Sequence, residues 1–348
     1  MTPVELSRTV LHAVRRAVDA GELGVTVPAR AVVTPPGPGG CGDYATTIAL
    51  QLARPAGQPP RRVAEVLRPY LVEADGISDV VLTGPGFLNI SLHGTAPAAL
   101  LEEILRRGSR YGYAEESDGR IVQLHCPHDL RAVVVAEAAA RILRSQGALV
   151  RTTAEAFDPE WTAALGVRVD AIGPPAPVEP RVTLRPVPAP GDPDPLRLGR
   201  DAARWALLHP APHDRPRTGD EHLVQRESNP LFRVRYAHAR TRALSRNAAD
   251  LRFAAAPGPV TGVQELLAAL ADQPRVLAAA AAHRAPDRLA RHLVTVADAA
   301  LPFLPTVLPR GAEKPSAAHR ARLALAEAVG AVLAGGLTLL GIDAPDHL

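Results

Sequence analysis

Nine of the 22 residues in the stretch 174–195 are proline, and this stretch restricts the possible folds of the 348-residue chain more severely than any other. Proline has no amide proton to donate to a ladder, so the stretch can supply no inner strand and reads as an irregular or linking segment. It divides the chain. Strand and helix patterns alternate before it, and after Leu196 the pattern is helical to the last residue.

In the first segment Leu6, Val10, Val14 and Val18 recur at helical spacing, and a Pro/Gly-rich loop over 35–42 separates that helix from a second over 44–53. A third helix starts at Pro59 and Pro60, with Val63, Val66, Leu67, Tyr70 and Leu71 on one face. The period then changes: 77–82 and 87–92 predict two strands joined by a turn at 83–86, and 97–106 returns to helix. Residues 1–112 therefore predict a compact α+β N-terminal domain. From Arg120 a strand over 121–124, a helix over 130–145, Gly147 and a strand over 149–152 make one βαβ unit, the start of a parallel sheet that the prolines cut short. That unit and the proline-rich linker occupy 113–195, and residues 196–348 predict an all-α C-terminal helical bundle. Its longest opening helix has Asn229 as N-cap and Pro230 at the first helical position, and runs to about 251. Further helices are expected over 263–270, 274–283, 286–300 and 316–340; the last is apolar on most sides and reads as core.

With 47% hydrophobic and 22% charged residues the chain can bury two or three ordinary domains. The net charge is only +3, and 38 of the 39 basic residues are arginine; GC-rich codon usage accounts for that bias, which permits an RNA partner without requiring one. Cys41 and Cys126 are too few for a disulfide framework, which predicts a cytoplasmic protein. Arg8, His12, Arg15 and Arg16 interrupt any signal peptide, and no apolar run is read as reaching the ~18 to 20 residues that span a bilayer. A soluble chain is expected, with no membrane, DNA, cofactor or metal.

Three regions resemble arginyl-tRNA synthetases. Gly42-Asp43-Tyr44-Ala45-Thr46-Thr47-Ile48-Ala49-Leu50 and Gly84-Pro85-Gly86-Phe87-Leu88-Asn89-Ile90 are similar to two hallmarks of the family's N-terminal additional domain. The motif Asn229-Pro230-Leu231-Phe232-Arg233-Val234-Arg235-Tyr236-Ala237-His238-Ala239-Arg240, the helix from Pro286 and the ending Leu339-Leu340-Gly341-Ile342-Asp343-Ala344-Pro345 resemble the DALR-type anticodon-binding domain in order and spacing. Between them, His125-Cys126-Pro127-His128-Asp129-Leu130-Arg131 resembles the His-x-Gly-His motif that opens the family's Rossmann-like catalytic domain. The resemblance thus implies a truncated Rossmann-like βαβ remnant over 113–195. In the family those histidines stabilise the phosphates of ATP. Here Pro127 stands in place of glycine, Asp129 adds a negative charge, and the family's Lys-Met-Ser-Lys loop has no counterpart, because the single lysine is Lys314. On that ground the chain is expected to be a noncatalytic paralogue, not an enzyme, with His125 and His128 a degenerate remnant of the catalytic site.

Two groups of residues are candidates for tRNA binding. On the strand over 87–92, Leu88, Ile90 and Leu92 share one face, so Phe87 and Asn89 are expected to project together from the other. An aromatic ring beside an amide suits an unstacked base, and the resemblance places both where the family reads a D-loop base at the tRNA elbow. A turn-capping role for Asn89 is the alternative. On the helix from Pro230 the 100° step puts Val234, Ala237, Leu244, Ala248 and Leu251 on one face and Arg235, His238, Arg242 and Arg246 opposite, a stripe that can follow a phosphate backbone or remain solvated surface. Tyr236 and Arg240 flank the apolar face, where packing against neighbouring helices is the alternative role. His125, His128 and Cys126 have no second ligand pair at zinc spacing, so no metal site is expected. The expected partner is tRNA, of the arginine kind by resemblance. A regulatory or scaffold protein that binds a protein partner through the helical bundle is the second reading, kept open by Leu348 and His292 at positions where the family often has methionine and tyrosine.

Overall fold

A computed structural model of the chain describes residues 2–34, 36–37, 41–92, 96–175 and 179–348. Position 35 and positions 38–40 of the expected loop, and 176–178 of the proline-rich stretch, lie outside the described residues. The chain divides into two compact units: Met1–Glu102 together with Pro257–Asp272, and Glu103–Ala256 together with Gln273–Leu348.

In the first unit α1 (Pro3–Asp19) starts at a reciprocal cap between Thr2 and Glu5 and buries Leu6, Val10 and Val14. It is followed by β1 (Val33–Thr34), β2 (Tyr44–Thr46), α2 (Ile48–Ala56), α3 (Pro60–Val72), β3 (Ile77–Thr83), β4 (Phe87–Leu92) and α4 (Ala96–Arg107), which from Glu103 on belongs to the second unit. The strands form one antiparallel sheet in the order β1-β2-β4-β3. Val80, Leu88 and Ile90 from the sheet and Val63, Leu67 and Leu71 from α3 close the core with α1. The helix expected over 44–53 is corrected here, because Tyr44, Ala45 and Thr46 pair with Ile90, Asn89 and Leu88 and the helix begins only at Ile48. Gly42 makes that pairing possible: its φ of 79° suits glycine, and a Cβ would lie 2.8 Å from the Ile90 carbonyl oxygen. Asp43 then accepts a bond from the Leu92 amide at 2.8 Å, which locks the two N-terminal sequence motifs to each other.

The second unit begins with β5 (Ile121–Cys126), α5 (Leu130–Ser145), β6 (Leu149–Ala154), α6 (Pro159–Leu165), β7 (Ala171–Ile172) and β8 (Arg181–Thr183). All four strands are parallel, in the order β7-β6-β5-β8, so the sheet extends past the single βαβ unit expected. The prolines allow this because β8 is an edge strand and its three residues are free of proline. Then come α7 (Arg200–Leu208), α8 (Pro230–Asp250), α9 (Gln264–His283), whose residues up to Asp272 belong to the first unit, α10 (Pro286–Ala300) and α11 (Ala317–Leu340). The two helices expected over 263–270 and 274–283 are one: α9 runs through Pro274, which costs it a hydrogen bond without ending it.

Buried side chains tie these layers together. Arg204 of α7 donates to the Leu340 carbonyl at 2.9 Å and the Leu165 carbonyl at 3.2 Å and pairs with Glu137 of α5, which also accepts from Arg141 at 2.6 Å. α11 is buried on most sides and comes so close to Ser109 that Gly335 has no room for a side chain. By length and composition α11 is apolar enough to cross a membrane, which corrects the expectation that no run is long enough. Most of it is buried inside the second unit, as a core helix is.

Candidate nucleic-acid interface

α8 starts as its sequence predicts. The Asn229 side chain accepts from the Leu231 amide at 3.1 Å and donates to the carbonyls of His222 and Val224, so the cap also ties down the preceding loop. Val234, Ala237, Leu244 and Ala248 are buried, and Leu251, placed with them by periodicity, is exposed just beyond the helix end.

The polar stripe differs from its expected form. His238 is buried, because residues 342–348 fold back along α8 and its Nδ1 meets the Pro345 carbonyl at 3.0 Å; burial pushes its pKa down. Arg235 faces Asp201 at 3.6 Å, and its Nε is buried without a hydrogen-bond partner. Arg242 donates to Asp346 at 2.9 Å, and Arg246 reaches the Asp346 carbonyl at 3.3 Å. Arg242 and Arg246 remain exposed.

The aromatic residues carry what periodicity missed. Phe232 and Tyr236, four residues apart, stack with centroids 5.6 Å apart and planes at 17°, and Tyr236 is 39% exposed. Arg240, one turn further on, is exposed as well. Neither Tyr236 nor Arg240 therefore has the interior packing role left open for it. The i, i+4 spacing of the two rings was the available signal, since such residues neighbour each other on a helix. Phe232 also lines a pocket of about 310 Å³, with Asp201, Leu223, Gln225, Arg235 and Leu348 among its walls.

In the first unit the two candidates part company. Phe87 is 38% exposed, whereas Asn89 is 2% exposed. The Asn89 amide donates to the Val81 carbonyl at 3.2 Å and to Thr83 Oγ1 at 2.7 Å, and its oxygen accepts from the Cys41 amide at 3.4 Å. Asn89 lies on the inner strand β4, between β2 and β3, and the neighbouring loop covers it, so the pair does not project side by side.

At the carboxyl end of β5, His125 is buried with Nδ1 2.9 Å from Thr153 Oγ1. His128 is exposed, sits 3.1 Å from Asp158 and stacks on Trp161 at 5.2 Å. Asp129 caps α5 by accepting from the Ala132 amide at 2.8 Å. Burial among apolar neighbours, then Asp129 and Glu155, push the Cys126 thiol up to about 12, so it stays protonated and is a poor nucleophile at neutral pH.

Residues 5–92 match the arginyl tRNA synthetase N terminal domain family and residues 234–348 the DALR anticodon binding domain family. A relative from Renibacterium salmoninarum, named Arginine--tRNA ligase, is 42% identical over 164 residues, which are 43% of this chain and 30% of that protein. A relative of the same name from Frankia alni is 41% identical over 42% of this chain and 28% of its own length, so the matched region spans under a third of either protein. One from Paenarthrobacter aurescens is 26% identical over an alignment that covers 100% of both chains. Among solved structures, Thermus thermophilus arginyl-tRNA synthetase superposes with a TM-score of 0.74 at 16% identity over 100% of each chain. The Plasmodium falciparum arginyl-tRNA synthetase gives 0.71 at 8% identity over 99% of each; both likenesses concern the fold. The expectation that the chain is not an enzyme is corrected by these relatives, which are named as ligases. The departures at Pro127 and Asp129 and the single lysine do not by themselves place the chain outside an enzyme family. The two matched domains, in this order and on this fold, show that the chain belongs to the arginyl-tRNA synthetase family.

Proposed function

We propose that the chain binds tRNA, of the arginine-accepting kind, with α8 as its principal contact and Phe87 as a second. The observation that carries this reading is the stack of half-buried Phe232 on exposed Tyr236, with exposed Arg240 one turn beyond it. Unstacked bases gain most from a flat ring and a guanidinium plane offered together, and the neighbouring phosphates from arginines along the same helix. The match of 234–348 to an anticodon-binding domain supports the same assignment. So does the match of 5–92 for Phe87, whose exposed ring offers a stacking surface while the Asn89 amide is already engaged.

Anisotropy titrations of the full chain with arginine-accepting tRNA test the reading. Binding is expected to weaken steeply as salt rises, because arginine–phosphate contacts release counterions. Tyr236→Ala is expected to cost about 1 to 3 kcal/mol, the worth of one stacked base. Replacing Arg235, Arg242 and Arg246 together by Gln is expected to flatten the salt slope with the helical circular dichroism intact. Wild-type binding no tighter than that of an unrelated basic protein would sink the proposal and turn attention to a protein partner for the helical bundle.

A further inference from the structure

After α11, Gly341 adopts a φ of 72° and turns the chain back along α8. Residues 342–348 then follow one stripe of that helix at intervals of four. His238 meets the Pro345 carbonyl at 3.0 Å, Arg242 the Asp346 carboxylate at 2.9 Å, and Arg246 the Asp346 carbonyl at 3.3 Å and His347 Nδ1 at 3.4 Å. Asp343 likewise faces Arg200 at 3.4 Å, and Leu348 lines the pocket beside Phe232. We propose that Asp346 is a resident substitute for phosphate: its carboxylate holds Arg242, and an RNA phosphate gains that guanidinium only by displacing it.

This inference rests on α8 being the RNA-facing helix and adds a regulation of that site. A carboxylate and a phosphate both present paired oxygens to a guanidinium, so one can replace the other at the same donor. The exchange is easy because the side chains of Arg242 and Asp346 are 51% and 52% exposed, and water already shares both partners of such a pair. It is not free, since the arginine holds the Asp346 carboxyl below its usual range. A shift of 346–348 would also take Leu348 from the pocket wall, so release of the arginine and opening of the pocket are one movement.

The test uses the full chain and two readouts, anisotropy with purified tRNA and the salt needed for elution from immobilised heparin. Asp346→Asn is expected to bind tRNA about two- to fivefold more tightly at low salt, the range that follows from exposed ion pairs, and to leave heparin at higher salt. Asp346→Glu keeps the carboxylate and is expected to match wild type. Asp250→Asn, the same change of charge at the end of α8 and one turn beyond Arg246, is expected to give a smaller gain than Asp346→Asn, because Arg242 is held by Asp346. In the Arg242→Gln background the gain from Asp346→Asn is expected to vanish. Equal gains from Asp346→Asn and Asp250→Asn, or a gain that survives without Arg242, overturn the inference even where tRNA binding itself is sound. If no variant binds tRNA but heparin retention follows the predicted pattern, the anion gate stands and the tRNA reading falls.

Discussion

Arg131 shows how a residue's neighbours in space outweigh its neighbours in sequence. It closes the segment that resembles a nucleotide-binding motif, yet it is fully buried and donates to the carbonyls of Val187, Leu207, Pro210, Ala211 and Asp214. One guanidinium thereby satisfies five acceptors drawn from the proline-rich segment, the end of α7 and the loop after it. Arg131→Met fills similar volume but orphans those acceptors, so a loss of at least about 2 kcal/mol is expected in urea unfolding. His209 gives a second test. It stacks on Trp205, and burial, followed by Arg291, His222 and Arg233, lowers its pKa to about 4. The unfolded chain therefore binds more protons than the folded one between about pH 6.5 and 4, and stability falls as pH drops through that window, by on the order of 1 to 3 kcal/mol. His209→Asn is expected to flatten that dependence when melting is followed across the range. Single residues were the least legible part of the sequence. Asn89 was read either as projecting beside Phe87 or as capping a turn and His238 as part of an open polar stripe, and both are covered by segments 48 and 107 positions away. Local periodicity cannot report such coverage.

Helices and long strands were legible because their periods repeat. α1, α3, α5, α8, α10 and α11 lie where apolar spacing, caps and prolines put them. Among the missed elements, the strands β1, β2, β7 and β8 have two or three residues, too short for any period to show, and α6 has only seven. In β2 the helix-like run that continues into α2 hid the strand, and only the close approach of Gly42 to β4 forces the chain to pair first. That contact is testable. Gly42→Ala must accommodate both a positive φ and a Cβ against the Ile90 carbonyl, and is expected to cost about 1 to 3 kcal/mol. Because Asp43 and Leu92 share the same junction, hydrogen exchange at the amides of 88–92 is expected to speed up in this variant before that of α8.

For the whole molecule, the order of its parts was readable and their boundaries were less so. The N-terminal unit takes a second segment, Pro257–Asp272, from the far side of α8, and Asp272 is near enough to raise the pKa of the buried Tyr44 hydroxyl, which burial chiefly drives up to about 12. Nothing local in 257–272 announces that partnership. A fragment of residues 1–112 is accordingly expected to melt below the corresponding transition of the full chain, and to regain stability when 257–272 is appended through a flexible linker. Equal melting with and without the appended segment would show the first stretch to be self-sufficient. The split carries a consequence for biosynthesis. Translation delivers residue 102 long before residue 272, so on the ribosome the first unit must wait, its surface for the missing segment open, while more than half of the second unit is made. A chain built this way is most exposed to misassembly during its own synthesis, and slowing elongation between those two points would lengthen that exposure.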